Sequence, residues 1–116
     1  MNDAPIQVLT TTDRKEDAER IARALVDRRL AGCVQILGPV VSTYRWQGKV
    51  ERAEEWLCFV KTRQDLYGDV EEAIKANHPY EVPEIIVVPV SGGSGDYLKW
   101  LDGELKKGPD GKAGQP

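Results

Sequence analysis

The sequence predicts an α+β fold in which an antiparallel sheet carries helices on one face. Three observations lead to this prediction. Apolar residues recur at helical spacing in three segments, and four other segments are short runs rich in β-formers. These segments follow one another in the order β-α-β-β-α-β-α, and a tight-turn signal joins the second and third strands. Two βαβ halves joined by a hairpin form the ferredoxin-like split βαβ pattern.

The first half of the chain predicts a strand, a helix and a long second strand. Residues 6–11 are apolar and rich in β-formers, so they predict the first strand. Apolar residues at helical spacing predict a helix over residues 14–29. The stretch 33–46 predicts a long strand interrupted by Gly38-Pro39. We expect a bulge or bend at that point, because proline cannot donate a ladder hydrogen bond.

The second half predicts the returning strand, a helix, a fourth strand and a last helix. Gln47–Lys49 is a tight-turn candidate, and residues 50–62 predict the returning strand. The helix that follows ends before Pro79, because proline disfavours helical angles in the residue that precedes it. Residues 84–90 predict the fourth strand, and residues 96–105 predict the final helix.

Two polar side chains are predicted to cap the first two helices. Asp13 precedes the first helix, and Glu16 lies three residues later, as in a capping box. Thr62 precedes the second helix, and Asp65 has the same spacing.

The returning strand carries apolar residues on both of its faces. Trp56, Cys58 and Val60 alternate with Leu57 and Phe59 along it. Because this fold places helices on one face only, the other face would expose apolar side chains to water. An exposed apolar patch of that size usually marks an interface, so we expect the chain to work as an oligomer.

Length, charge and composition limit the possible classes of protein. The 116 residues fit one domain, which we place at 1–105, followed by a flexible Gly/Pro/charged tail at 106–116. A net charge of −3 argues against a nucleic-acid partner. No apolar run approaches the length of a membrane span, and the first residues lack a signal-peptide pattern. With only two cysteines, these features predict a cytoplasmic protein with reduced thiols and no membrane partner.

The first candidate site surrounds His78, the only histidine of the chain. Two prolines stiffen this stretch, which also presents Tyr80, Glu81 and Glu84. An imidazole and carboxylates on a rigid segment can hold a metal ion or a ligand. The same stretch can also serve only as a helix-to-strand connection, with His78 placed at a helix end that favours a cation.

The second and third candidate sites are a pair of thiols and a group of aromatic residues. Cys33 and Cys58 are either small buried apolar residues or, with His78, ligands for a soft ion such as Cu(I). Lys61 lies in an apolar stretch and needs a carboxylate or a ligand nearby. The aromatic residues grouped with Lys61 are Tyr44, Trp46 and Trp100. Packing at a subunit interface explains this group equally well.

Patterns typical of common enzymes are missing from the sequence. The loop Ser91–Gly95 lacks the lysine and the spacing of a phosphate-binding loop. Neither a G-x-S-x-G elbow nor an H-E-x-x-H motif occurs. Without a paired nucleophile and base, we expect a protein that is not an enzyme.

Five stretches, in this order and spacing, resemble one known family. They are residues 22–34, 44–50, 61–62, 78–85 and 96–101. The H-P-Y-E-V-P-E block and the Y-x-W-x-G-K hairpin are the most specific of them. Over residues 6–105 the chain is similar to the CutA divalent-ion-tolerance family.

The resemblance implies a PII-like homotrimer of ferredoxin-like subunits, in which the long hairpin reaches across to a neighbouring chain. It also implies a role in divalent-ion or copper tolerance, with a metal ion or small ligand bound in clefts between subunits. Copper or another divalent ion would be the bound metal, and folding would not require it. The metal ligands carried over by position are His78, Cys33 and Glu81. The other cleft residues carried over are Tyr44, Trp46, Lys61, Tyr80, Glu84 and Trp100.

A second function from another class stays open. In this alternative the chain is a PII-like signalling or scaffold trimer that binds a small anionic metabolite or a protein partner, and metal is incidental. Lys61 beside aromatic rings favours it, since a cation next to flat rings suits an anionic ligand better than a metal ion.

Overall fold

The computed structural model describes residues 4–108, and its elements follow the predicted order. The strands are β1 (Pro5–Thr12), β2 (Cys33–Trp46), β3 (Lys49–Arg63) and β4 (Ile86–Pro89). The helices are α1 (Lys15–Asp27), α2 (Tyr67–Asn77) and α3 (Gly95–Glu104), and a 3-10 turn at Gln64–Leu66 precedes α2. The strands form one antiparallel sheet in the order β2-β3-β1-β4. The α+β, ferredoxin-like prediction is therefore confirmed.

The element boundaries differ little from those predicted. The fourth strand is shorter than expected, because Glu84 and Ile85 precede the ladder that β4 forms with β1. Residues 109–116 of the expected tail lie outside the described residues. Lys106, at the start of that tail, donates its backbone N–H to the carbonyl of Arg29 at 2.9 Å.

The helices cover one face of the sheet and enclose the core. Inward-facing residues of β1 and β3 meet apolar residues spaced three or four apart on α1 and α2. The largest of these fully buried side chains are Ile6, Val8, Val60, Ile21, Leu25, Val70 and Ile74. Burying one such side chain stabilises the fold by about 1.5–3 kcal/mol.

The opposite face of the sheet is apolar, and α1 and α2 do not cover it; α3 contacts it at the Lys61 end, where the ring of Tyr97 lies 5.4 Å from the Lys61 ammonium. Leu9 pairs with Phe59 on one side and with Ile86 on the other, so these three side chains share this face. Leu37 and Ile86 keep 57% and 49% of their surface exposed. The prediction that β3 is apolar on both faces is confirmed, and a patch of this kind is typical of an interface.

The β2–β3 hairpin extends beyond the other strands as a two-stranded arm. Because Thr12 at the end of β1 pairs with Trp56, the arm from Val40 to Glu55 has only its own two strands. The register shifts between Leu37 and Val40, which confirms the bulge predicted at Gly38-Pro39. Two-stranded ribbons are marginally stable in water, so within this chain the arm has less support than the rest of the sheet.

The tip of the arm is the tight turn that the sequence predicts. Gln47 and Gly48 both have positive φ, 52° and 80°. Two successive residues with positive φ form the turn that matches the twist of hairpin strands.

Gly38 leaves no room for a larger residue at the bulge. A Cβ on Gly38 would lie 2.5 Å from Cε3 of Trp56 and 3.2 Å from the carbonyl oxygen of Glu55. We expect Gly38→Ala to lower the free energy of unfolding by about 1–3 kcal/mol, measured by thermal denaturation. Gly68→Ala is the matched control, because a Cβ there meets nothing within 4 Å. A wild-type melting temperature for Gly38→Ala would contradict this packing.

Both predicted helix caps are wrong. The residue preceding α1 is Arg14, and no side chain caps this end, so Asp13 and Glu16 form no capping box. Thr62 lies inside β3, where its buried hydroxyl donates to the carbonyl of Leu30 at 2.7 Å. In place of a cap, Thr62 ties β3 to the loop that precedes β2.

Arg63 connects the end of β3 to the C-terminal helix. Its guanidinium is nearly buried and donates to Asp65 at 2.7 Å and to Asp102 at 2.9 Å. A third hydrogen bond reaches the carbonyl of Lys106 at 2.7 Å. These contacts hold α3 against the end of the sheet where β1 begins.

Candidate functional site

A cavity of about 690 Å³ lies at the end of the sheet where β1 stops and the arm begins. Tyr44 and Trp46 of β2 and Glu55 of β3 form one wall, and the loop 80–84 forms another. Small-molecule sites in proteins typically measure 300–1,000 Å³, so the cavity has the size of a ligand site. It gathers five of the predicted cleft or metal residues: Tyr44, Trp46, Tyr80, Glu81 and Glu84.

His78 holds the loop of this cavity against the sheet. Its Nε2 lies 2.7 Å from the carbonyl oxygen of Thr11, and its Nδ1 accepts the backbone N–H of Tyr80 at 3.1 Å. Because a carbonyl only accepts hydrogen bonds, Nε2 carries the proton and Nδ1 does not. Both ring nitrogens are therefore occupied within the chain. His78 can bind a metal only by giving up one of these bonds.

Glu55 is the residue of this site that sequence reasoning missed. Tyr80 donates its hydroxyl to Oε2 of Glu55 at 2.7 Å, and only 7% of Glu55 is exposed. Burial raises the pKa of Tyr80 above its ordinary value, and the nearby carboxylate of Glu55 raises it further, so the phenol remains a donor. A signal was present in the sequence, since Glu55 falls on the same strand face as Leu57 and Phe59.

The charges that line the cavity are negative. Glu55, Glu81 and Glu84 contribute carboxylates, and the lining residues of the described chain include no lysine or arginine. Within one chain this arrangement attracts a cation. It gives no support to the anionic metabolite of the alternative prediction.

Lys61, Trp100 and Cys33 lie at the other end of the sheet. Lys61 is six residues beyond Glu55 on β3, which corresponds to about 20 Å. Its ammonium lies 5.4 Å from the ring centroid of Tyr97, and that ring lies 5.5 Å from the ring of Trp100. Cys33 pairs with Lys61 across β2 and β3. The predicted cleft residues are thus divided between two distant places.

The three predicted metal ligands do not meet within one chain. His78 contacts Thr11, which pairs with Leu57 of β3. Cys33 pairs with Lys61, which is four residues further along the same strand. That separation along the sheet is about 13 Å, far longer than a metal–ligand bond. Within residues 4–108, no group of three His, Cys, Asp or Glu residues is arranged to hold a metal ion. The resemblance places these ligands in clefts between subunits, so their assignment stays a prediction.

Cys58 is predicted to be chemically inert in the folded protein. It is fully buried, and burial raises the pKa of its thiol from 9.0 to about 11, so below that pH the thiol stays protonated. In a Cys33→Ser background we expect no reaction with a thiol reagent at pH 8, and complete reaction after denaturation. Equal labelling rates for the native and the denatured protein would contradict the burial of Cys58.

The sequence comparison identifies the family. The model of the CutA1 divalent ion tolerance protein family matches residues 6–104. The chain belongs to this family. The resemblance found in the sequence is confirmed, and so is the relation to divalent-cation tolerance.

Several CutA relatives are similar over most of the chain. The divalent-cation tolerance protein CutA of Thermus thermophilus is 47% identical over 94 residues, which are 81% of this chain and 91% of the relative. The chloroplastic CutA of Arabidopsis thaliana is 43% identical over 96 residues, which are 83% of this chain. This chain spans only 53% of the Arabidopsis protein and 58% of its rice counterpart.

Solved CutA structures share the fold described above. The Thermus thermophilus protein superposes with a TM-score of 0.86 at 43% identity, covering 88% of this chain and 99% of that one. CutA1 from Oryza sativa gives a TM-score of 0.87 at 39% identity, covering 91% and 97%.

The cellular compartment differs among CutA proteins. The Archaeoglobus fulgidus protein is described as periplasmic, and the plant relatives as chloroplastic. In the part of this chain that the structure describes, every helix is too short or too polar to cross a membrane. The cytoplasmic location remains a prediction.

Proposed function

We propose that this CutA family protein is a homotrimer that binds a divalent cation, copper first among the candidates, in clefts between its chains. The role would be tolerance of excess metal ions, by binding and not by catalysis. One observation carries the proposal: of the residues expected to share a cleft, Lys61 lies about 20 Å along β3 from Glu55, to which Tyr80 is hydrogen-bonded. They can share a cleft only if one end of a chain meets the other end of the next.

The open sheet face and the projecting arm support such an assembly. An end-to-end contact joins two different surfaces, one from each chain. Repeated contacts of this kind form a closed ring when the rotation that relates neighbouring chains brings the last chain back to the first. Stacking of Phe59, Leu37 and Ile86 against a neighbour removes the exposed apolar patch from water. The same neighbour supports the arm, which has only two strands of its own.

The distribution of ligand atoms also favours a site shared between chains. Glu81 is exposed at the rim of the cavity, and Cys33 lies half-buried at the opposite end of the sheet. A thiolate from one chain and a carboxylate from the next would complete a set of ligands that no single described chain provides. For divalent first-row ions, Cu²⁺ binds most tightly to a given set of N, O and S ligands. His78 then acts mainly by fixing the loop that carries Glu81.

Metal titration of variants tests these ligand assignments. We expect Glu81→Gln and Cys33→Ser to weaken Cu²⁺ binding about 10- to 100-fold by isothermal titration calorimetry, and Zn²⁺ binding in the same direction. Glu16→Gln is the control, because Glu16 is exposed on α1. Affinities for both variants equal to that of the wild-type protein would remove these residues from the site.

A further inference from the structure

The first helix ends at a residue type that its backbone geometry does not favour. Arg29 has a φ of 58°, in the left-handed region that glycine adopts more easily than other residues. Its N–H donates to the carbonyl of Val26 at 3.0 Å, and the N–H of Leu30 donates to that of Leu25 at 2.9 Å. These two hydrogen bonds define a helix-ending motif that usually has glycine at this position. An arginine here has a conformational cost, which points to another use of its side chain.

The side chain of Arg29 reaches the C-terminal end of α3. Its Nε donates to the carbonyl of Glu104 at 2.9 Å, and its Nη2 donates to that of Gly103 at 3.0 Å. The last turn of α3 has no basic residue of its own, so Arg29 supplies the cation that a helix C-terminus favours. The carbonyl of Arg29 in turn accepts the N–H of Lys106 at 2.9 Å. One residue therefore joins the ends of α1 and α3.

The joined segments lie next to Cys33, the thiol proposed as a ligand of the shared cation site. α3 packs closely on the residue that precedes it, since a Cβ on Gly32 would lie 2.6 Å from Cδ1 of Leu101. The N–H of Gly32 donates to the carbonyl of Lys61 at 3.1 Å, and Lys61 is the β3 partner of Cys33. A shift of α3, or of the loop that ends at Gly32, would therefore also shift the start of β2.

Few apolar side chains hold α3 in place. Within Gly95–Glu104 only Leu101 is buried, and Leu105, the residue after the helix, is buried as well. The other contacts at this end include hydrogen bonds from Arg29 and Arg63. Segments with few buried apolar contacts open at low free energy, so these polar contacts determine how firmly α3 is held.

We propose that Arg29 is a positioning residue of the cation site, because it fixes α3 and the loop that leads to Cys33. The inference rests on the proposed function, in which Cys33 is a ligand. Arg29 would act through Cys33 without touching the ion. Its two N–H donors span two successive carbonyls, which the single ammonium of a lysine would not do.

Replacement of Arg29 by glycine separates this role from simple stabilisation. Glycine relieves the backbone at this φ, and the lost hydrogen bonds are exposed, so we expect no loss of melting temperature. Cys33 of the full chain should nevertheless react with methyl methanethiosulfonate faster, by about threefold or more. The variant should also bind Cu²⁺ about tenfold more weakly by isothermal titration calorimetry.

Two further variants complete the experiment. Gln47→Gly is the matched control, because Gln47 also has a positive φ, 52°, and is exposed at the tip of the arm. It should change neither the labelling of Cys33 nor the binding of copper. Arg29→Lys keeps the charge but not the paired donors, so it should lie between the wild-type protein and Arg29→Gly. It keeps the proposal falsifiable if Arg29→Gly fails to fold.

The labelling rate and the copper affinity together decide the proposal. A wild-type labelling rate at Cys33 in folded Arg29→Gly, or in Arg29→Lys if the glycine variant does not fold, would overturn it. Faster labelling with wild-type copper affinity would also overturn it, since Cys33 would then move without consequence for the site. A wild-type protein that binds no copper would refute the proposed function itself, whereas the labelling rate would still report whether Arg29 fixes Cys33.

Discussion

Replacement of Phe59 by aspartate is expected to dissociate the oligomer into single chains. Phe59 lies at the centre of the open sheet face, between Leu9 on β1 and Gln35 on β2. A carboxylate there would have to lose its water at the interface, which costs several kcal/mol, whereas in a separate chain it stays hydrated. The mass measured by light scattering after size-exclusion chromatography should fall from three chains toward 12.9 kDa.

The control for this experiment is Val26→Asp. Val26 is also an exposed apolar residue, but it lies on α1, on the side of the sheet that the helices cover. Trp56 is unsuitable for the test, because it alternates onto the helix side of β3 and lies beside the ammonium of Lys15. An unchanged mass for Phe59→Asp, or dissociation of Val26→Asp as well, would contradict the assignment of the interface.

Removal of the Arg63 guanidinium is expected to cause the largest loss of stability from a single polar side chain. Arg63→Met removes hydrogen bonds to Asp65, Asp102 and the carbonyl of Lys106. Asp102 is largely exposed and can hydrate, whereas Asp65 is mostly covered. We therefore expect a loss of about 3 kcal/mol in the free energy of unfolding, measured by urea denaturation.

Arg23→Met provides the matched comparison for this prediction. Arg23 also pairs with an aspartate, Asp27, but both side chains are mostly exposed and the atoms are 3.4 Å apart. Exposed pairs of this kind contribute about 0–1 kcal/mol. Similar losses for the two variants would show that Arg63 does not connect α3 to the sheet as described.

The fold was largely predictable, because the periodic spacing of apolar residues indicates which segments form strands and which form helices. Strand and helix patterns predicted the four strands and three α-helices in order, although not the 3-10 turn at Gln64–Leu66, and Gly38-Pro39 predicted the bulge. The caps were not predictable in the same way. Thr62 has the right residue type and spacing for a cap, but its hydroxyl donates to Leu30, a residue 32 positions away that only the tertiary structure brings near. Sequence spacing gives no information about such distant partners.

The site was predictable in part. The H-P-Y-E-V-P-E block identified Tyr80, Glu81 and Glu84, and the hairpin identified Tyr44 and Trp46, which the cavity brings together. The resemblance also placed Lys61 in this cleft, between chains. Within one chain Lys61 lies about 20 Å along β3 from Glu55, so its place in the cleft stays a prediction.

His78 shows the limit of reasoning from residue type. A lone histidine beside carboxylates is a reasonable metal ligand, and nothing in the sequence indicates that the carbonyl of Thr11 occupies its Nε2. The ring supports the loop by two hydrogen bonds, so the side chain most suggestive of chemistry is used for structure in this chain.

Native mass spectrometry during a titration with CuCl₂ tests most directly whether cation sites form between chains. The wild-type protein should appear near 39 kDa, three times 12.9 kDa, and should gain copper. Phe59→Asp should appear as a single chain that gains none above background. A wild-type protein that stays at 12.9 kDa, or a single-chain variant that takes up copper as well as the wild type, would contradict a site shared between chains.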